Sequence, residues 1–176
     1  MDDRFAYDEL VFDGKVVKAH RVGLRMDDGE VRERDFLRYP GAAVVLPVLD
    51  DGSIVLIRNY RFAVEETLYE LPAGLVEHGE APIDCAAREL AEETGYVAGR
   101  IEPLAWFYSG PGTADERMDT FLATELRDGR QNLEPYERIT VEVVGEDAVR
   151  RMLADGTIHD AKTIAALGLY WLKEGR

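Results

Sequence analysis

Three glutamates in one predicted helix are the residues best suited to chemistry in this 176-residue chain. Glu89, Glu92 and Glu93 stand at positions i, i+3 and i+4, so their carboxylates share one helix face and repel one another. One interpretation is a solvated acidic face, because clustered charges usually lie in solvent. The other is a ligand set for a hard divalent cation such as Mg²⁺, which prefers oxygen ligands and turns the repulsion into binding energy.

The segment that enters this helix favours the metal site. Residues 74–80, Gly-Leu-Val-Glu-His-Gly-Glu, form a glycine-bounded loop that follows an apolar strand end, Leu71-Pro72-Ala73. Such a loop can bring backbone carbonyl oxygens and another carboxylate onto the glutamate face. The result is an oxygen-rich cage for Mg²⁺, with Mn²⁺ as a substitute.

Residues 74–96 resemble the Nudix box of the Nudix hydrolase family. That pattern is glycine, five residues, glutamate, seven residues, then Arg-Glu-apolar-x-Glu-Glu-x-Gly-apolar, and here it reads Gly74, Glu80 and the run from Arg88 to Tyr96. All the literal positions are filled, and at ordinary residue frequencies a chance match has a probability on the order of 10⁻⁸ per window. Tyr96, at the last apolar position, is the one loose fit.

The resemblance implies hydrolysis of a nucleoside diphosphate linked to another moiety. Carried over by position, Glu89 and Glu93 are the main metal ligands, and Glu92 assists them and takes part in catalysis. The carbonyl of Ala73 completes the cage. Mg²⁺ ions held by clustered carboxylates neutralise the diphosphate, activate a water and stabilise the leaving phosphate oxygen.

Three other residues of the box are expected to have structural roles. Arg88 and Glu80 are expected to pair with each other and fix the loop against the helix. His78 invites an interpretation as a general base. It varies freely in the box pattern, however, and we interpret it as a surface turn residue.

Features outside the box resemble the ADP-ribose pyrophosphatase subfamily. Pro111 lies sixteen positions beyond Gly95, in a loop similar to the proline-marked loop of that subfamily, although an ordinary Gly-Pro-Gly turn is the alternative. The segments 58–61 and 70–74 look like the stretch that leads into the box, and 139–171 resembles the last strand and two helices. The expected substrate is therefore ADP-ribose, a nucleoside diphosphate sugar, cut to AMP and ribose 5-phosphate.

Two other functions stay open beside this one. The first is a pyrophosphatase for another nucleotide sugar, such as GDP-mannose or a UDP-sugar. The second is a regulator that binds a nucleotide sugar without catalysis, which a degraded box would favour. The box here is intact, so hydrolysis is the preferred prediction.

Arg61 is the predicted phosphate contact, because a guanidinium offers bidentate donors that a lysine does not. A surface salt bridge is the alternative for this residue. The rest of the predicted substrate-binding set comprises Glu70, Pro111, Gly112 and Glu116. For the catalytic base the subfamily resemblance points to a loop glutamate before the last strand, where Glu134 and Glu137 both stand. We favour Glu137, whose spacing to the strand at Ile139 is closer.

The helix that carries the carboxylates is predicted at 82–94. Its apolar stripe is formed by Ile83, Ala86, Ala87, Leu90 and Ala91, on the face opposite the glutamates. Pro82 suits the first turn, and Gly95 suits the position just after the last turn.

Strands and further helices should surround it. The runs 41–49 and 53–58 are almost continuously apolar, which predicts burial on both faces. Further strands are expected at 104–108, 118–125 and 139–144, and helices at 145–154 and, preceded by Asp160, at 161–172. The fold class is therefore α/β (α+β), a Nudix-like α/β/α sandwich with a mixed sheet.

The first forty residues predict a separate antiparallel β subdomain. Short β-favouring runs are divided by Asp13-Gly14 and Asp28-Gly29, both typical of hairpin turns. We therefore expect a subdomain at 1–40 and the Nudix hydrolase domain at 41–176. The subfamily resemblance implies that this segment is a dimerisation arm, and so a homodimer.

Composition excludes several classes of partner. A net charge of −14 and a pI of about 4.6 oppose nucleic-acid binding. No apolar run approaches the roughly 20 residues that span a bilayer, and the first residues lack the basic-then-apolar order of a signal peptide. The single cysteine, Cys85, fits a reducing compartment. We therefore expect a cytoplasmic protein with no nucleic-acid or membrane partner.

Overall fold

The structure is a computed structural model that describes residues 3–135 and 137–175. Its strands and helices alternate along the whole chain. In chain order they are β1 (Phe5–Asp13), β2 (Lys18–Arg25), β3 (Val31–Arg38), β4 (Ala42–Pro47), β5 (Ile54–Arg61), β6 (Glu66–Glu70), β7 (Ala73–Leu75), α1 (Pro82–Thr94), β8 (Tyr96–Tyr108), β9 (Arg117–Asp128), β10 (Ile139–Val144), α2 (Glu146–Ala154) and α3 (Ala161–Lys173).

The described residues form two compact units. The first unit runs up to Gly41 and also contains Tyr108–Arg117. The second unit contains Ala42–Phe107 and the chain from Met118 onward. The sequence placed the boundary at 40/41 but assigned 108–117 to the second domain, because nothing local in that loop indicates which strands it joins.

The first unit is built on an antiparallel sheet in the order β1-β2-β3. Lys18 pairs with Asp13, and Arg25 pairs with Val31, so both predicted hairpins are present. Gly29 has φ of 84° in the second turn, a conformation that glycine adopts without steric cost. The 108–117 loop joins this unit through a bridge between Leu37 and Ala114.

The second unit contains the predicted mixed sheet and, beside it, a second sheet that is antiparallel. The first is four-stranded, in the order β7-β4-β9-β8, with β4 parallel to β9 and antiparallel to β7. The second is antiparallel, in the order β10-β5-β6. The short strands β6 and β7 were not predicted as separate strands, because neither has a continuous apolar run.

Strand β4 is buried on both faces, as its apolar run predicts. Side chains alternate across a strand, so Ala43 and Val45 pack with α1, while Val44 and Leu46 pack in the cluster that contains α2 and α3 residues. Helices therefore cover both faces, which makes the unit an α/β/α sandwich. No described helix has the length and the hydrophobicity needed to cross a membrane.

The buried face of α1 differs from the predicted stripe. Cys85, Ala86, Leu90 and Glu93 are buried, whereas Ile83 and Ala87 are exposed. Ile83 and Ala87, although part of the predicted apolar stripe, do not belong to the buried face, because a face that includes a carboxylate such as Glu93 is not marked by hydrophobicity. Pro82 and Gly95 bound the helix as predicted, with Gly95 at φ of 78°.

Candidate active site

Glu93 lies inside the second unit. Its side chain comes from the last turn of α1 and is 3% exposed. The backbone N–H of Ala73 donates to its Oε2 at 2.9 Å. Burial raises the pKa of Glu93 to about 8; the charges of Glu89 and Glu137 also raise it, while the Ala73 N–H opposes the shift. The interpretation of this carboxylate as part of a solvated face is therefore wrong.

Glu89 lies against the start of the box, at Gly74. A Cβ built on Gly74 would stand 1.8 Å from Oε1 of Glu89, so only glycine leaves room for the carboxylate there. Burial raises the pKa of Glu89, and the charges of Glu92 and Glu137 raise it further, against the lowering effect of Arg88. The glycine that opens the box thus provides the space in which a candidate ligand sits.

Arg88 joins the loop to the helix. Its Nε and Nη2 donate to the two carboxylate oxygens of Glu80 at 2.9 and 3.1 Å, which confirms the predicted pair. These hydrogen bonds hold the pKa of Glu80 near 2. Its Nη1 donates to Glu89 at 2.6 Å and to Glu92 at 3.1 Å. One guanidinium therefore compensates three of the carboxylates of the box.

The carboxylates suit a hard divalent cation in chemical type. In the described part of the chain, no three His, Cys, Asp or Glu side chains are arranged so that they could hold a metal ion as they stand, since Glu89 and Glu92 bind Arg88. The mutual repulsion of Glu89, Glu93 and Glu137, together with the burial of Glu93, still favours an added positive charge among them. The donor set therefore fits Mg²⁺, and the assignment of Ala73, Glu89, Glu92 and Glu93 as its ligands stays a prediction.

The loop that carries both candidate bases is tied to the end of α1. Asn132 N–H donates to the carbonyl of Glu92 at 2.9 Å, and the Gln131 side chain donates to the carbonyl of Glu93 at 2.7 Å. These contacts satisfy carbonyl groups that a helix end leaves unpaired. They also bring the loop beside the last turn of α1, which holds Glu93.

Of the two candidate bases, Glu137 is the one whose charge acts on Glu89 and Glu93. Glu134 is exposed, and its backbone N–H donates to Oε2 of Glu137 at 2.8 Å. In this arrangement Glu134 positions Glu137 through its backbone. The geometry favours Glu137, and its assignment as the catalytic base stays a prediction.

The side chains of Arg61, the last residue of β5, and Glu70, the last residue of β6, pair with each other. Arg61 donates from Nε and Nη2 to the two oxygens of Glu70 at 2.7 and 2.6 Å. Glu70 is fully buried, whereas the Arg61 side chain is 42% exposed. Glu70 thus holds Arg61 instead of facing solvent where a substrate could reach it. The charge of Glu93 acts on Arg61, so this guanidinium is electrostatically coupled to the carboxylates of α1.

The other predicted substrate contacts belong to the first unit. Pro111 and Gly112 are exposed, and Oε2 of Glu116 accepts a hydrogen bond from the Ser109 hydroxyl at 2.6 Å. Their roles as substrate contacts stay predictions. His78 is exposed in the turn before α1, as its interpretation as a surface residue requires.

Sequence reasoning missed the residues that support this site from a distance. Gln131 carries no local signal, since a single glutamine in a polar loop is unremarkable. Asp160 and Thr163 could have been found from the spacing typical of a helix N-cap. Lys162, which also donates to Glu70, could not have been found from the sequence, because a lysine in the first turn of a helix is usually exposed.

Comparison with known proteins agrees with this geometry. A profile of the NUDIX domain matches residues 38–167. The ADP-ribose pyrophosphatase of Bacillus subtilis (strain 168) is 37% identical over 177 residues, covering 99% of this chain and 95% of that protein. The Methanol dehydrogenase activator of Bacillus methanolicus is 33% identical over 168 residues, covering 94% and 91%. A solved structure of an ADP compounds hydrolase has a TM-score of 0.84 over 97% of this chain and 94% of that one; at 24% identity it confirms the predicted fold class.

Proposed function

Since this chain belongs to the Nudix hydrolase family, we propose that it hydrolyses the diphosphate bond of ADP-ribose to give AMP and ribose 5-phosphate. One observation carries the choice of substrate, the 37% identity to an ADP-ribose pyrophosphatase over 99% of this chain. In this reaction the P–O–P bond breaks. The oxygen of one water molecule joins one phosphorus, and the other phosphate leaves with the bridging oxygen.

The chain's own charges address the main difficulty, which is to hold a diphosphate in a protein of net charge −14. Bound Mg²⁺ supplies counter-charge and activates a water molecule. Glu89, Glu92 and Glu93 would hold that ion, and Gly74 leaves room for Glu89. Arg61, fixed by Glu70, would orient the phosphate oxygens with donors that are already in place.

Glu137 is the residue we assign as general base. It would accept the proton of the attacking water, since its charge acts on Glu89 and Glu93 and it therefore lies near the candidate metal ligands. Glu134 is the alternative base. Its exposed side chain and its backbone contact with Glu137 support a positioning role instead.

Two alternatives keep the fold and change the function. One is hydrolysis of another nucleotide sugar, because nothing described at Arg61 or α1 distinguishes one nucleobase from another. The other is a regulatory protein, and it is supported by the 33% identity to a Methanol dehydrogenase activator. The retained carboxylates favour catalysis over a regulator without turnover.

A comparison of substrates tests the proposal. We expect kcat/KM with Mg²⁺ to be highest for ADP-ribose among ADP-ribose, GDP-mannose, UDP-glucose and NADH. A tenfold advantage for any other compound, about 1.4 kcal/mol at the transition state, would overturn the substrate and leave the family chemistry in place. Absence of turnover with all four, alongside retained binding of ADP-ribose, would favour the regulator.

We further propose that the active protein is a homodimer joined through its first unit. Val22 is the one buried hydrophobic residue of the described part of that unit, whereas the sheet and its turns expose apolar side chains. They are Tyr7, Leu10, Val11, Phe12, Val16, Met26 and Val31. A three-stranded sheet needs an apolar face packed against something to be stable, and a second copy would supply it.

A further inference from the structure

The buried carboxylate of Glu70 is shared by two cations. Arg61 binds both of its oxygens, and Lys162 Nζ donates to Oε2 as well. Glu70 has no exposed surface, and Lys162 is 8% exposed. Of the three side chains, only Arg61 therefore extends from the buried group toward solvent, where a ligand could meet it.

Lys162 is in turn held by the first turn of α3. Its Nζ donates to Oδ2 of Asp160 at 3.0 Å, and the same oxygen accepts the backbone N–H and the hydroxyl of Thr163 at 3.0 and 2.7 Å. The Leu71 N–H donates to the Thr163 hydroxyl oxygen at 2.8 Å. This turn is thereby bonded both to the Arg61–Glu70 pair and to the segment that leads to Ala73.

This arrangement fixes the orientation of the Arg61 guanidinium. Glu70 binds its Nε and Nη2, and Nη1 makes no hydrogen bond to the described part of the chain. A carboxylate can orient an arginine only if its own rotamer is fixed, and Lys162 is the second cation that holds Glu70 in place. Arginines that bind phosphate gain from such preorganisation, because their geometry need not be ordered when the ligand arrives.

We propose that Lys162 is a positioning residue for the diphosphate. Acting through Glu70, it fixes the guanidinium of Arg61 in the orientation that receives the phosphate oxygens. This inference rests on the proposed function in one respect, that the ligand is a diphosphate. It assigns a role to a residue that contacts neither the substrate nor the carboxylates of α1.

The test uses three variants of the full chain. Lys162→Met removes the ammonium and keeps a side chain of similar length, while Lys162→Arg keeps the charge. Lys173→Met is the matched control, since Lys173 lies on the same helix but donates to the backbone carbonyl of Leu104. Two measurements are made: affinity for inorganic pyrophosphate with Mg²⁺ by calorimetry, and kcat and KM for ADP-ribose.

We expect Lys162→Met to weaken pyrophosphate binding at least fivefold and to raise KM by a similar factor, with kcat changed less than twofold. Lys162→Arg should recover most of the loss, and Lys173→Met should change neither quantity. In an Arg61→Gln background, Lys162→Met should have no further effect, because it acts through Arg61. Equal weakening in both backgrounds, or unchanged affinity and KM, would overturn the proposal.

If Lys162→Met does not fold, Asp160→Asn gives the same comparison, because it keeps an oxygen at the helix cap and removes the charge that anchors Lys162. At least a twofold loss of pyrophosphate affinity supports the proposal, and no loss overturns it.

The results also separate the role of Lys162 from the proposed function. If the protein hydrolyses ADP-ribose and the variants bind pyrophosphate as tightly as the wild type, the proposed function stands and the role of Lys162 is overturned. If the Lys162→Met variant loses pyrophosphate affinity and the wild-type protein does not hydrolyse ADP-ribose, the role of Lys162 is supported and ADP-ribose is excluded as the substrate. A wild-type protein that does not bind pyrophosphate overturns the role of Lys162.

Discussion

Glu93 combines an ionisable carboxyl group with almost complete burial, which opposes its ionisation. The backbone N–H of Ala73 donates to it, and the carboxylates of Glu89 and Glu137 act on it electrostatically. Ionisation of a carboxyl group this deeply buried is costly unless a cation compensates the charge. The predicted metal site therefore explains a glutamate at this position, whereas structural stability alone does not.

Replacing the Glu93 carboxylate by an amide distinguishes an effect on catalysis from an effect on folding. Glu93→Gln should keep the fold and lower kcat at least about 100-fold, roughly 2.7 kcal/mol, because the amide removes one anionic ligand without removing volume. Glu89→Gln should behave likewise. Glu102→Gln, at an exposed glutamate of β8 paired with Arg100, is the control and should keep full activity. Near wild-type turnover of Glu93→Gln or Glu89→Gln at saturating Mg²⁺ would contradict the ligand assignment.

Gly74 offers a second test at a single residue. In Gly74→Ala the new Cβ would collide with Oε1 of Glu89, and the flexible carboxylate would move away. We expect the fold to persist while the Mg²⁺ concentration for half-maximal activity rises at least fivefold. The control is Gly168→Ala inside α3, where no atom lies within 4 Å of the added Cβ. It should leave the Mg²⁺ requirement unchanged and gain about 0.5–1 kcal/mol of stability from helix propensity.

At the scale of elements, the loop 74–80 depends on α1 for its position. Arg88 holds it through two hydrogen bonds to Glu80, and the Glu77 N–H donates to the same carboxylate at 2.9 Å. Both Glu80 and Arg88 are partly buried, so their attraction is less screened than that of an exposed pair. The loop that bears Gly74 is therefore attached to the helix that bears Glu89.

The pKa of Glu80 gives this attachment a pH dependence. The pKa is about 2 in the folded protein and about 4.3 in an unfolded chain. The stabilisation is therefore complete above the unfolded value and is lost as pH falls toward 2. Glu80→Gln should reduce the free energy of unfolding by on the order of 1–2 kcal/mol at pH 7, and the difference from wild type should shrink below pH 4 in urea titrations. A difference that stays constant from pH 7 to pH 3 would contradict the assignment.

Sequence reasoning succeeded where the signal was local. Pro82 and Gly95 mark the ends of α1 by backbone geometry, and the apolar run of β4 marks a strand buried on both faces. Sequence reasoning failed where the position of a residue depends on a contact with a segment distant in sequence. The burial of Glu93 depends on the segment at Ala73, and the position of the loop at Gln131 depends on carbonyl groups of α1. No pattern within either segment encodes its partner.

At the scale of the whole molecule, a high net charge coexists with exposed apolar side chains. The net charge of −14 favours solubility and opposes association through charged surfaces. The first unit nevertheless exposes Phe12 at 61% and Leu10 at 46%. An apolar sheet of this kind is typical of an interface between subunits.

Light scattering tests the resulting homodimer. We expect a mass of twice 19.8 kDa at micromolar concentration. Phe12→Glu should shift the protein toward the monomer, because it places a charge on the apolar sheet, and Phe62→Glu, at an exposed residue of the second unit, should not. A wild-type monomer at that concentration would remove the proposed interface.

The late position of α3 in the chain has a consequence for synthesis. Arg61 and Glu70 leave the ribosome about one hundred residues before Asp160 and Lys162, which complete their hydrogen bonds. Strand β4 likewise can pair with its parallel neighbour β9 only after β9 has been synthesised. Contacts so distant in sequence form slowly, so a nascent or prematurely ended chain has the box but not the contacts that hold Glu70 and, through it, Arg61. We expect hydrolysis to begin only once nearly the entire polypeptide has been released and folded.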